Sequence, residues 1–132
     1  MYNFFLEAVK ADTTIDGKVD LLKKAAALYK GKGMREREGD LLAMLLEIKP
    51  KPTINDMFDT GRAYYFGQAY GKSRDLFLKF QEKYPAEIFG YEWAFNSARA
   101  VDTTKKDSIA VPDALKLFEF AQKIRPNSKS NI

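Results

Sequence analysis

One stretch of this chain, Thr53 to Pro85, constrains the fold of everything around it. It reads T-I-N-D-M-F-D-T-G-R-A-Y-Y-F-G-Q-A-Y-G-K-S-R-D-L-F-L-K-F-Q-E-K-Y-P. Met57, Thr60, Gly61 and Tyr64 fall at helical spacing in its first half, and Ser73, Phe77 and Phe80 do so in its second. Gly67 and Gly71 flank the turn between the halves, and Pro85 stops the second helix. The same spacing occurs 35 positions earlier, where Leu22, Ala26 and Tyr29 precede Met57, Gly61 and Tyr64, and Leu42 and Pro50 precede Phe77 and Pro85. A third copy follows with Tyr91, Ala94, Phe95 and Ala98, then pauses before Ala114, Phe118, Ala121 and Pro126. A helical hairpin cannot bury its apolar side alone, so recurring hairpins must stack on their neighbours.

A large residue, two positions, a residue-glycine pair, two positions and Tyr, followed by small-x3-Phe and Pro, resembles the tetratricopeptide repeat (TPR) family. Met57 stands where Trp is usual, Thr60 replaces Leu and Ser73 replaces Ala, while Gly61, Tyr64, Phe77 and Pro85 keep the pattern. A variant familiar among Bacteroidetes is similar at Pro52-Thr53 with Asp56, at Gly61 to Tyr65, and at Gly90-Tyr91-Glu92-Trp93. The resemblance implies an all-α fold: a right-handed superhelix of antiparallel helical hairpins, a TPR-like α-solenoid of about three repeats and seven helices. It also suggests a bacterial scaffold protein, without pointing to a particular activity.

The division predicted along the chain is a single TPR-like domain, 1–132. Residues 1–14 hold an N-terminal helix, Tyr2 to Ala11, that reads as half of an upstream repeat, with Phe4, Phe5, Ala8 and Val9 along one side. Repeat 1 spans 19–52, with helices from about Lys18 to Tyr29 and Glu36 to Ile48, the second burying Leu42, Leu45 and Leu46. Repeat 2 spans 53–87, where Thr53 and Asp56 form a box-like helix cap and Gly61 marks a close helix crossing. Repeat 3 spans 88–126 with an inserted polar loop, 102–111, and 127–132 is a polar tail.

Composition narrows the function. Hydrophobic residues at 45% and aromatics at 14% exceed what a disordered chain carries. The chain has no Cys and no His, which removes thiol chemistry, the commonest general base and the commonest metal ligand. The net charge of +4 is not gathered into a patch: residues 1–52 carry ten basic and eight acidic side chains, and 53–132 carry twelve and ten. That interspersion speaks against nucleic acid as a partner. The longest apolar run, Leu41 to Leu46, is too short for membrane insertion, and the first residues lack the basic start and apolar core of a signal peptide. As it stands the chain reads as cytoplasmic; as a piece of a longer signal-bearing protein it would be periplasmic or secreted.

Catalysis would have to rest on carboxylates. Asp56 and Asp59 share a helix face, and Asp102 and Asp107 share the polar loop, but caps and solvated faces account for all four. No catalytic set, metal site or cofactor site is expected. The aromatic residues are the richer feature, because Tyr64, Tyr65 and Phe66 cannot all face inward from one helix. In the TPR family the first helix of each hairpin lines the concave groove. The resemblance carries that lining onto Lys23, Ala27 and Lys30, onto Phe58, Arg62, Tyr65 and Phe66, and onto Phe89, Glu92, Asn96 and Arg99. Aromatics interleaved with Arg are what interface hot spots are made of. The expected function is a non-enzymatic scaffold that binds a partner peptide or helix in that groove. The alternative is a structural fragment that self-associates as a homo-oligomer through the apolar ends of the array. TPR domains that hold the acidic tail of heat-shock chaperones use Lys and Asn as clamps. Here Lys23 fits, but Ala27, Asp59, Phe89 and Trp93 depart from that set, so a chaperone-tail role is not expected.

Overall fold

The computed structural model describes residues 2–105 and 109–123. Among them are seven helices and no strand: α1 (Tyr2–Ala11), α2 (Ile15–Gly31), α3 (Arg35–Ile48), α4 (Ile54–Phe66), α5 (Tyr70–Lys83), α6 (Ile88–Lys105) and α7 (Ala110–Lys123). The fold is all-α, as the periodicity predicts. The helices gather into two compact units, residues 1–69 with α1 to α4 and residues 70–132 with α5 to α7. The boundary between them falls inside the expected second repeat.

In the first unit each helix packs on the next, α1 on α2, α2 on α3 and α3 on α4. Its core joins Val9, Leu22, Ala25, Ala26, Tyr29, Leu41 and Leu45, with Phe5, Leu6 and Val19 against the edge. Two details differ from the sequence reading. Leu41, not Leu42, lies in the core, because α3 turns its Leu41–Leu45 face inward and leaves Leu42 half-buried at the rim. Phe4 is 70% exposed while Phe5 packs edge-on against Tyr29, since adjacent helical residues point about 100° apart.

The helix ends are closed by recognisable devices. Thr14 caps α2 by accepting from the Gly17 N–H at 3.0 Å. At the other end Gly33 takes φ +75° while its N–H donates to the Lys30 carbonyl and that of Met34 to Tyr29, a Schellman closure. The end of α4 repeats this closure: the N–H of Gln68 donates to the Tyr65 carbonyl and that of Ala69 to Tyr64. Here the left-handed position, φ 64°, is filled by Gln68 and not by the neighbouring Gly67. Gln68→Gly is therefore expected to raise the stability by up to about 1 kcal/mol, read as a higher urea midpoint, because a side chain in this region costs more than the extra freedom of glycine.

At the start of α4 the expected cap is present in full. The Asp56 N–H donates to Thr53 Oγ1 at 3.1 Å, and the Thr53 N–H donates to Asp56 Oδ2 at 2.8 Å. Lys49 Nζ donates a second bond to the same oxygen at 2.8 Å. Partial burial alone would raise the Asp56 pKa, but the Lys49 ammonium and the Thr53 N–H outweigh it and hold the carboxyl below its usual value. A depressed carboxyl stabilises the fold above its unfolded pKa, and that contribution is lost as pH falls through the folded pKa. Asp56→Ala should thus cost about 1 kcal/mol at neutral pH, with the deficit shrinking below about pH 4 in urea titrations at stepped pH.

Two glycines set how closely α3 and α4 approach. A Cβ on Gly39 would lie 2.7 Å from the Tyr64 ring, whose hydroxyl donates to Asp40 Oδ1 at 2.8 Å. Burial and that carboxylate push the Tyr64 phenol well above its ordinary pKa. A Cβ on Gly67 would lie 2.5 Å from the Glu36 backbone nitrogen, so the end of α4 abuts the start of α3. Gly61 is buried.

In the second unit α5 packs on α6 and α6 on α7. Phe77, Phe80, Ala94 and Ala98 are fully buried, and a Cβ on Gly90 would meet the Phe80 ring at 2.9 Å. Ser73, at a position where the repeat pattern has Ala, is buried and shares a 2.9 Å hydrogen bond with Ser97. The inserted loop read over 102–111 is corrected: α6 continues to Lys105 and α7 begins at Ala110, while Asp107 lies outside the described residues. Asp102 accepts from the N–H groups of Ile109 and Ala110 at 2.7 and 2.8 Å, capping α7 across the turn.

The register of α7 is corrected too. Phe118 is 61% exposed and Ala114 and Ala121 are half-buried; the buried residues of this helix are Asp113 and Phe120. Arg74 on α5 holds Asp113 through two bonds, Nε to Oδ2 at 2.7 Å and Nη2 to Oδ1 at 3.0 Å. The Phe120 ring stacks on Tyr91 at 4.7 Å. These contacts, seven residues apart on one face, fix the rotation of α7, and the Ala-x3-Phe spacing does not.

Candidate functional site

Between α2, α3 and α4 lies an open cleft of about 370 Å³. Helix α2 contributes Lys23, Ala27 and Lys30, which recur at i, i+4 and i+7 and so share one exposed stripe beside the buried Ala26. Helix α4 contributes Asp59 and Arg62 one turn apart. Helix α3 closes the third side with Arg35, Glu38 and Leu42. Lys23 and Lys30 form no ion pair among the described residues, and both ammonium groups are exposed.

The short α2–α3 turn brings Arg35 over the cleft, and the close approach at Gly67 brings Phe66 up beside it. The Arg35 guanidinium ion-pairs with the buried Glu38, which satisfies a carboxylate that is only 6% exposed. It also stands 5.5 Å from the centre of the Phe66 ring. Arg62 lies 5.3 Å from Phe58 and 5.6 Å from Phe66, so Phe66 has a guanidinium from each of two helices. Tyr65 meets the Phe66 ring edge-on at 5.5 Å. Such stacking holds flexible Arg side chains in place, which lowers the ordering cost of binding.

Of the ten lining residues expected from the sequence, Lys23, Lys30 and Arg62 line this cleft, with Phe58 and Phe66 stacked on Arg62 and Tyr65 behind Phe66. The other four, Phe89, Glu92, Asn96 and Arg99, belong to the second unit and lie along one side of α6. Phe89, Asn96 and Arg99 are exposed there and Glu92 is half-buried, with the Arg99 guanidinium 5.6 Å from Phe95. Sequence reasoning missed Arg35, Glu38 and Leu42, because the family pattern assigns the groove to first helices and α3 is a second helix. The available signal was the Arg-x-x-Glu spacing at the start of α3, which pairs the two charges on one helix face.

The cleft therefore offers four cations, Lys23, Lys30, Arg35 and Arg62, against two carboxylates, Glu38 and Asp59, of which Glu38 is engaged by Arg35. Among the described residues no group of three or more Cys, His, Asp or Glu is placed to hold a metal ion, and no helix is long and apolar enough to cross a membrane. Comparison with protein-family models, with curated proteins and with solved structures finds no match to this chain.

Proposed function

We propose that this chain is a non-enzymatic interaction module, a TPR-like array of antiparallel hairpins wound as a right-handed superhelix, which receives a peptide or helix of a protein partner. The observation that carries this reading is the cleft itself. Lys23, Lys30 and Arg62, three positions assigned to a groove by the repeat resemblance, converge on one concavity with Phe58 and Phe66 alongside. Pre-stacked Arg and half-exposed aromatics are the side chains that carry binding energy at interfaces. The deeply buried carboxylate Asp113 is taken up by Arg74 in a structural pair, which speaks for a scaffold over acid-base chemistry.

The test is a triple variant, Lys23→Glu, Lys30→Glu and Arg62→Glu, compared with the parent chain in cross-linked pull-downs from native lysate. The variant is expected to keep its helical circular dichroism and to lose the partners that the parent recovers. Recovery of the same partners at the same yield would remove the cleft from the proposal.

A second reading, self-association, has its own observation. Val111, Leu115 and Phe118 recur at i, i+4 and i+7 on α7 and are 61%, 58% and 61% exposed, and Phe4 on α1 is 70% exposed. Sedimentation over a hundredfold concentration range decides it; a sedimentation coefficient independent of concentration sinks this reading.

A further inference from the structure

The second unit holds a separate concavity of about 570 Å³, within the range of small-ligand sites. One side is the Pro85–Ala86 turn between α5 and α6, the back is Tyr91 of α6 against Phe120 of α7, and the rim is Lys116, Glu119 and Lys123. The two rings stack at 4.7 Å with planes 25° apart, and Phe120 is 7% exposed. Tyr91 is fixed at its other end as well, because its hydroxyl donates to the Pro85 carbonyl at 3.1 Å. The phenol's proton is thus committed, and the walls present mostly ring and aliphatic carbon. The pocket is preformed and selects an apolar body.

The rim selects charge. Lys116 and Lys123 stand two helical turns apart on the same side of α7, roughly 10 Å along the axis, with Glu119 between them. Neither lysine forms an ion pair among the described residues, so two cations face one carboxylate across the mouth. A small monoacid offers one carboxylate to two lysines. An extended peptide offers one to each, since side chains four positions apart share a face and stand roughly 13 Å apart, a gap the flexible lysines span. Nor does this pocket share residues with the cleft of the first unit. On α6 itself, Tyr91 lies about 200° around the helix from Phe89, so it faces away from that residue.

We propose that this pocket is a second binding site, which takes the aromatic side chain of an extended peptide whose acidic residues, two positions to either side, share that side chain's face. The aromatic ring enters against Tyr91 and Phe120, and the two carboxylates pair with Lys116 and Lys123. This site stands or falls independently of the cleft between α2, α3 and α4.

The experiment titrates a capped peptide, acetyl-Glu-Gly-Trp-Gly-Glu-amide, into the ¹⁵N-labelled full chain and follows amide shifts. Shifts are expected at Ala86, Tyr91 and Lys116 to Lys123. Replacing the peptide's tryptophan by alanine should weaken binding at least about tenfold, the worth of burying one large apolar side chain. Lys116→Glu with Lys123→Glu, both exposed positions, should weaken it by at least about tenfold through charge reversal. Ala86→Trp, which fills the pocket from its exposed turn, should abolish it. Lys23→Glu with Lys30→Glu should leave it unchanged. The proposal is overturned if the peptide causes no shifts at millimolar concentration, if the alanine peptide binds equally well, or if N-acetyltryptophan alone binds as tightly, which would make the occupant a small aromatic acid.

Discussion

Arg74→Met is expected to cost the fold about 3–5 kcal/mol, read as a drop in urea midpoint without a change in slope. The side chain of Asp113 is 1% exposed and that of Arg74 is 23% exposed, so the two partners are not equivalent. Removing the arginine strands a buried carboxylate, whereas removing the carboxylate leaves a guanidinium that can turn toward water. Asp113→Asn should therefore be milder than Arg74→Met. The double variant Arg74→Met with Asp113→Leu should recover most of the loss, because a buried pair replaced by apolar groups leaves no charge unpaired. A double variant as unstable as the single one would show that the pair does more than neutralise itself. The pair also ties the first turn of α7 to α5, and with it the register that brings Phe120 to Tyr91.

Phe77→Ala should cost about 3–5 kcal/mol, and Phe77→Leu much less. Phe77 is fully buried, 5.9 Å from the Phe80 ring and stacked 5.8 Å from Trp93 with planes 21° apart. Truncation removes the transfer energy of a ring and leaves a cavity between two neighbours that are themselves held, Phe80 by full burial against Gly90. The chain has one tryptophan, so its fluorescence reports this contact directly. A red shift of folded-state emission should accompany the fall in melting temperature. An unchanged melting temperature would mean that Phe77 is not a keystone of this unit.

How much of this was legible in advance differs from helix to helix. Periodicity placed α1 with its exact ends and α4 with its capping box, because both depend on residues within a few positions of one another. It also found the apolar face of α2, where Leu22, Ala25, Ala26 and Tyr29 are buried. It failed at α7, where Phe118 has the expected spacing and faces out. The same face-level ambiguity swapped Leu41 for Leu42 on α3. An amphipathic pattern with apolar residues on two sides does not say which side meets the neighbour. The polar run after Val101 read as a loop because its composition is that of loops, yet α6 continues four residues beyond Val101 to Lys105.

The candidate site divides the same way. Lys23, Lys30 and Arg62 were nameable from the repeat resemblance, which assigns groove positions along the first helix of each hairpin. Their convergence with Arg35 and Glu38 was not, for it depends on a turn of three residues between α2 and α3 and on a backbone approach at Gly67 that admits no side chain.

By itself the sequence determined that the described residues are helical, where most of the helices lie, the capping box of α4 and the absence of thiol and imidazole chemistry, because composition and local hydrogen bonding act over a few residues. Tertiary structure alone decided which face of α3 and α7 is buried, that Asp113 is the buried acid, and that Tyr91, Phe120 and two lysines share a pocket. Those outcomes depend on side chains far apart in sequence competing for the same neighbour, and no local pattern records who wins.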